Sequence, residues 1–244
     1  VEVATTRGDL IEYQQLSDEL LSLYTENDNQ LSYIAHLVRR ANTMFLTFGN
    51  VQETELIINE IEKAFNNKYN NLSFSELGAI TKTIYLNLLK DLKEWDRADK
   101  YQKQSFEGFE ILDIIDKARK YQQNRNFSEA IKIYKPLLLG LDGISKYILH
   151  YNLGLCYMET GDFELAIELF DKMKNNFSRG WGVRKHYYPK FFLYSGLANL
   201  EIENYRQAKS NLETFLKIWE PAPEYLSEKK MARQALKAIN KAIS

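Results

Sequence analysis

The chain has 244 residues, 45% of them hydrophobic and 27% charged, and its 32 basic and 33 acidic residues nearly cancel. That length can bury a sizeable core, eleven glycines and four prolines exclude collagenous and low-complexity chains, and the balanced charge excludes a global polyanion-binding field. The single Cys156 excludes an intrachain disulfide framework and a multi-cysteine metal site.

Apolar spacing is helical along almost the whole chain. Leu10, Tyr13, Leu16, Leu20, Leu21 and Tyr24 mark one face of a first helix. Leu31, Ile34, Leu37, Val38, Ala41, Phe45 and Phe48 mark a second, ending near Gly49-Asn50. Ten further helices are predicted over 51–66, 73–92, 95–107, 108–124, 127–140, 145–160, 163–176, 186–203, 205–219 and 222–242. Sustained strand alternation and Asn-Gly hairpins are lacking, so the predicted class is all-α. No apolar run approaches the ~20 residues of a membrane-spanning helix. The segment 220–244, with Leu226, Met231, Ala235, Leu236 and Ile239 on one face and lysines elsewhere, reads as a polar-faced capping helix.

Four interhelical turns share a pattern: Lys93-Glu94-Trp95, Arg125-Asn126-Phe127, Gly161-Asp162-Phe163 and Glu203-Asn204-Tyr205. Each ends in an aromatic residue, and three residues later stands an alanine: Ala98, Ala130, Ala166 and Ala208. The alanines are 32, 36 and 42 residues apart. The aromatic wedges between helices, the alanine lets two axes approach, and Asn126, Asp162 and Asn204 suit a helix N-cap. Ala118, Gly154 and Gly196 supply a second close-approach position upstream of the last three turns, with Tyr121 and Tyr157 three residues after the first two.

On these residues the chain resembles the tetratricopeptide-repeat family. The best unit is Leu153-Gly154, Tyr157, Gly161-Asp162-Phe163, Ala166 and Phe170, followed by Gly196, Tyr205, Ala208 and Phe215, then Ala118, Tyr121, Phe127, Ala130 and Tyr134. The likeness is specific over 108–219 and weaker over 75–107 (Leu86, Trp95, Ala98), whereas 8–70 has only the look of helical hairpins. It implies a right-handed superhelix, an α-solenoid of stacked antiparallel helix pairs whose first helices line a concave groove. The division expected is N-terminal helices over 1–74, repeats over 75–219 and a cap over 220–244. The run Leu216–Pro223 also resembles the ends of repeat regions attached to bacterial signalling proteins.

The function the resemblance implies is non-enzymatic: a protein-interaction module gripping a peptide or partner helix. The alternative is a peptide-sensing regulatory domain that controls an attached or associated effector, such as a DNA-binding domain. Groove positions expected from the repeat pattern are Asn87, Lys90, Arg119, Gln122, Tyr151, Asn152, Leu155, Met158, Lys190, Tyr194 and Leu197. Their mixed character suits a peptide better than a phosphate backbone, so no nucleic acid is expected. The carboxylate clamp of chaperone-binding repeat proteins is not reproduced, since Thr83 and Ile148 stand where it needs lysines.

Catalytic signals are lacking. His36, His150 and His186 are far apart, and neither a Gly-rich phosphate loop nor a nucleophile elbow occurs. His36, His150 and Cys156 are expected to be packed core residues. No cofactor, metal or membrane is expected, and the expected compartment is the cytoplasm. The chain begins Val-Glu-Val without Met or a signal-peptide pattern, which suits a mature product or a fragment.

Two expansions interrupt the spacing. The segment 179–190 carries Arg179, Arg184, Lys185 and Lys190 with no acid, together with Trp181, His186, Tyr187 and Tyr188. It is either a recognition loop, with Arg179, Trp181, Arg184, Lys185 and His186 as contacts, or a spacer with solvated charges. The Asn-rich 66–71 segment is either a hinge or a long loop. Charge is also uneven: residues 1–30 hold seven acids and one base, 179–244 six acids and twelve bases. Such ends either steer association or are two solvated surfaces.

Overall fold

A computed structural model describes residues 1–66, 73–103, 110–139, 144–175 and 184–243. Among them are thirteen α-helices and no strand. The Asn-rich stretch 67–72 and residues 176–183 lie outside the described residues. Two compact units divide the chain, Val3–Gly108 and Phe109–Ser244.

In the first unit lie α1 (Glu2–Arg7), α2 (Leu10–Glu26), α3 (Gln30–Leu46), α4 (Val51–Asn66), α5 (Ala79–Asp91) and α6 (Trp95–Lys103). α3 is the central helix and packs on α2, α4 and α5. The reason is its pattern: Ile34, Leu37, Val38, Ala41 and Met44 are all buried, a stripe at helical spacing that solvent would penalise on any side left open. Arg40 ties the hairpins together by pairing with Asp18 of α2 and Glu53 of α4. The predicted 73–92 helix is broken instead. A single 3-10 turn occupies Phe74–Glu76, Leu77 and Gly78 are extended, and α5 starts only at Ala79. The break lets Phe74 sit 1% exposed among Phe65, Tyr85 and Tyr101, with ring centroids 4.9–5.9 Å from its own.

The second unit holds α7 (Glu110–Gln123), α8 (Phe127–Leu137), α9 (Ile144–Thr160), α10 (Phe163–Asn175), α11 (Arg184–Glu201), α12 (Tyr205–Ile218) and α13 (Ser227–Ile243). Each helix packs on its sequence neighbour, and α9 on α11 and α11 on α13 besides. That is the stacking of a tetratricopeptide-like α-solenoid, since no single hairpin can bury both of its faces.

The four turns found in the sequence have one backbone geometry. Their first residues, Lys93, Arg125, Gly161 and Glu203, are all left-handed, with φ between 59° and 81°. The following amide donates across the turn to the carbonyl five residues back: Glu94 to Leu89, Asn126 to Tyr121, Asp162 to Tyr157 and Asn204 to Asn199, at 2.8–2.9 Å. These bonds satisfy carbonyls that a helix end leaves open. The side-chain caps expected of Asn126 and Asn204 do not form. Asn204 Nδ2 donates to Asn199 Oδ1 at 2.9 Å instead, because the backbone bond already fixes the turn. A left-handed first residue recurs at Asp28-Asn29 and Gly49-Asn50, where the Asn29 amide donates five residues back to Tyr24 O and the Asn50 amide six back to Met44 O. The hairpins of residues 10–66 therefore share the turn without the alanine; Thr54 takes the small-residue position, fully buried, with its hydroxyl donating to Asn50 O at 2.7 Å.

Ala98, Ala130, Ala166 and Ala208 are all 0% exposed. Opposite them the glycines work as the sequence requires: a Cβ on Gly154 would stand 2.4 Å from the Phe170 ring, and one on Gly196 2.8 Å from Leu212. Between α10, α11 and α12 lies a polar network. Buried Ser195 Oγ donates to Asp171 at 2.6 Å and accepts from Asn211 Nδ2 at 3.0 Å, while Lys174 Nζ reaches Asn211 Oδ1 at 2.9 Å.

Candidate functional site

α9 divides its residues between two environments. Leu149, Leu153, Gly154, Cys156 and Tyr157 are buried against neighbouring helices. Tyr151, Asn152, Leu155 and Met158 are only partly buried, and their spacing places them along one stripe. On α11, Phe191, Leu193, Ala198 and Asn199 are buried, and Tyr194 and Leu197 are partly exposed. Because α9 and α11 pack directly, the two stripes adjoin.

The join is aromatic. The Tyr151 ring lies 4.7 Å from Tyr187, 5.8 Å from Tyr194 and 6.3 Å from Phe191 between centroids. Burial of the Tyr151 hydroxyl pushes its pKa well above the ordinary tyrosine value, and the hydroxyl of Tyr194, Tyr187 and the Glu228 charge add to this. The Tyr151 phenol therefore stays a neutral hydrogen-bonding group on an apolar face.

The cations expected in the groove are all buried. Lys190 is 8% exposed, and its Nζ lies 2.9 Å from Glu228 Oε1, fastening α11 to α13. Burial alone would raise the Glu228 carboxyl, but the charge and hydrogen bond of Lys190 outweigh it and hold the pKa below the glutamate range. Arg119 is 4% exposed on α7. Gln122 is partly buried and accepts the Tyr134 hydroxyl at 3.1 Å. Asn87 and Lys90 belong to the first unit; Asn87 is partly buried, and Lys90, 3% exposed, donates to Gln102 at 2.6 Å.

Of the 179–190 segment, Arg179 and Trp181 lie outside the described residues, and so do the side chains of Arg184 and Lys185. The backbone is already helical at Arg184, where α11 begins. His186 and Tyr187 are 3% and 6% exposed. What looked like one charged insert is in its second half the first turns of a helix, with Tyr187 buried and Tyr188 partly exposed. Tyr187 and Glu228 are the two groups missing from the sequence-derived site: Tyr187 was visible as an aromatic near the helix start, but Glu228 gives no sign, being paired across 38 residues.

His36 and His150 are buried, as expected, and His36 Nε2 lies 2.9 Å from Ser17 Oγ. Cys156 is buried too, and burial, followed by the Glu159 charge, pushes its thiol up to about 12, so it has no thiolate at neutral pH. Among the described residues no group of three His, Cys, Asp or Glu could hold a metal ion. Among them no helix is long and apolar enough to cross a membrane.

A family model described as tetratricopeptide repeat matches residues 147–174, which are most of α9, the turn at Gly161 and nearly all of α10. No curated protein and no solved structure matches the chain.

Proposed function

We propose, from the premise that this chain is a tetratricopeptide-repeat protein-interaction module, that it acts by binding rather than catalysis and that its ligand lies along α9 and α11. The ligand is a peptide segment or a partner helix. The observation that carries this reading is the pair of adjoining, partly exposed stripes, Tyr151, Asn152, Leu155 and Met158 beside Tyr194 and Leu197. Large aromatic and flexible apolar side chains are the usual anchors of such interfaces, and Met adapts to irregular partners. Asn152 adds a donor and an acceptor that can meet a peptide backbone. With Lys190 neutralised by Glu228, recognition by this face rests on apolar side chains more than on charge.

Short peptides selected against the full chain from a random displayed library test this directly. The double change Asn152→Ala and Met158→Ala should weaken a selected peptide about tenfold, close to 1.4 kcal/mol, with helicity unchanged by circular dichroism. Unchanged affinity would place the interface elsewhere.

A further inference from the structure

The first unit contains a cavity of about 340 Å³ where the end of α2 and the start of α3 meet α4. Tyr24, Asp28, Tyr33 and Glu60 line it with polar and aromatic surface, and Ile34 and Ala64 with apolar surface. Its size is at the lower end of the range for small-ligand pockets. Tyr33 Oη donates to Glu60 Oε1 at 2.7 Å, which holds the carboxylate against the ring. Among the described residues neither Asp28 nor Glu60 has a cationic partner. The last turn of α2 contains no basic residue, although a helix C-terminus favours one. The start of α3 stands beside it, capped by Asn29 Oδ1 accepting from the Ser32 amide at 3.1 Å. The two helix ends therefore nearly cancel, and the carboxylates set the sign of the pocket.

We propose that this pocket binds an alkylguanidinium or alkylammonium group, its methylene stem on Ile34 and Ala64 and its charged head between Asp28 and Glu60, against the tyrosine rings. Carboxylates supply charge-assisted hydrogen bonds and the ring faces attract a cation. The sequence around the pocket favours the same sign: residues 1–108 hold seventeen acidic and eleven basic side chains, whereas 109–244 hold sixteen and twenty-one. A field of that sign concentrates cations near the first unit. Two sources offer this chemistry, a free organic cation and the Arg or Lys side chain of a peptide. The pocket lies in a different unit from the α9 and α11 stripes, so either site can fail without the other.

The test is calorimetric titration of the full chain with butylguanidinium, with Nα-acetylarginine amide and with the neutral Nα-acetylnorleucine amide. Both cations should bind with a dissociation constant on the order of 1 mM, and the norleucine compound should not. Equal affinity for the two cations identifies a free-cation site; several-fold tighter binding of the arginine amide identifies a peptide side chain. The double change Asp28→Asn and Glu60→Gln, which keeps an acceptor for the Tyr33 hydroxyl, should lower affinity about tenfold without lowering the thermal midpoint. In the unaltered protein, added salt should weaken binding, because an open site is screened. Norleucine amide binding as well as the cations, no saturation by either cation up to about 50 mM, or affinity indifferent to salt and to the double change would each overturn the proposal.

Discussion

Gly154 shows how one side chain's absence fixes a helix spacing. The Phe170 ring would lie 2.4 Å from an added Cβ, so Gly154→Ala forces the fully buried ring to move within a packed layer. Urea denaturation should show a loss of about 1–3 kcal/mol, the usual cost of overpacking a core. The Lys190–Glu228 pair makes a prediction with a definite sign. The Glu228 carboxyl is held below its ordinary value of 4.5 in the folded chain, so its contribution is fully present above that value and is lost as pH falls through the depressed one. Acidification from pH 7 to about 3.5 should therefore cost the unaltered protein more stability than it costs a Glu228→Gln variant; equal losses would deny the pair its role. Residues of these two kinds differ in how far a sequence displays them. Gly154 and the four alanines recur at matched positions because every layer needs the same close approach, and recurrence is visible in a sequence. Lys90, Arg119 and Lys190 look like groove cations because their burial depends on the rest of the fold, as the partners Gln102 and Glu228 show for Lys90 and Lys190, and no local pattern reveals that.

The repeated element is as much the turn as the helix pair. Four turns, and two more in the first unit, place a residue in the left-handed region and return an amide to the carbonyl five or six residues earlier. Only one of the four in the recognised repeats has glycine there, and other residues are strained by roughly 1–2 kcal/mol in that conformation. Glu203 is exposed, with φ 59°, so Glu203→Gly should raise the urea midpoint, corresponding to about 1 kcal/mol of added stability. Gly161→Ala, at φ 81°, should lower it by a similar amount. A midpoint unmoved in both would mean that the turns carry no strain. The aromatic and the alanine after the turn were legible because packing restricts them to a few residue types. The left-handed residue was not, since Lys93, Arg125 and Glu203 are poor markers of positive φ. Helix α1 was likewise missed: six residues give too little periodicity, and it is held by burial of Ala4 and Thr5 and by Gly8 at φ 69°.

At the scale of the molecule, the second unit layers α9, α11 and α13 side by side, each backed by its hairpin partner or by the neighbouring hairpin. Tyr151, Asn152, Leu155 and Met158 of α9 and Tyr194 and Leu197 of α11 are partly exposed. Trp219, Leu226, Ala232 and Ile239 close the far end with a continuous core, which includes Leu193 and Leu212 and against which Leu197 and Tyr194 pack. The helix stack was legible as a class of architecture from repeated spacing; which side chains stay at the surface was not, because that depends on the angle between neighbouring helices. Amide hydrogen exchange of the full chain, with and without a library-selected peptide, tests the central claim most directly. The account predicts added protection concentrated in α9 and α11, between residues 151 and 158 and between 190 and 197. Protection confined to α10 and α12, or to the first unit alone, would contradict it.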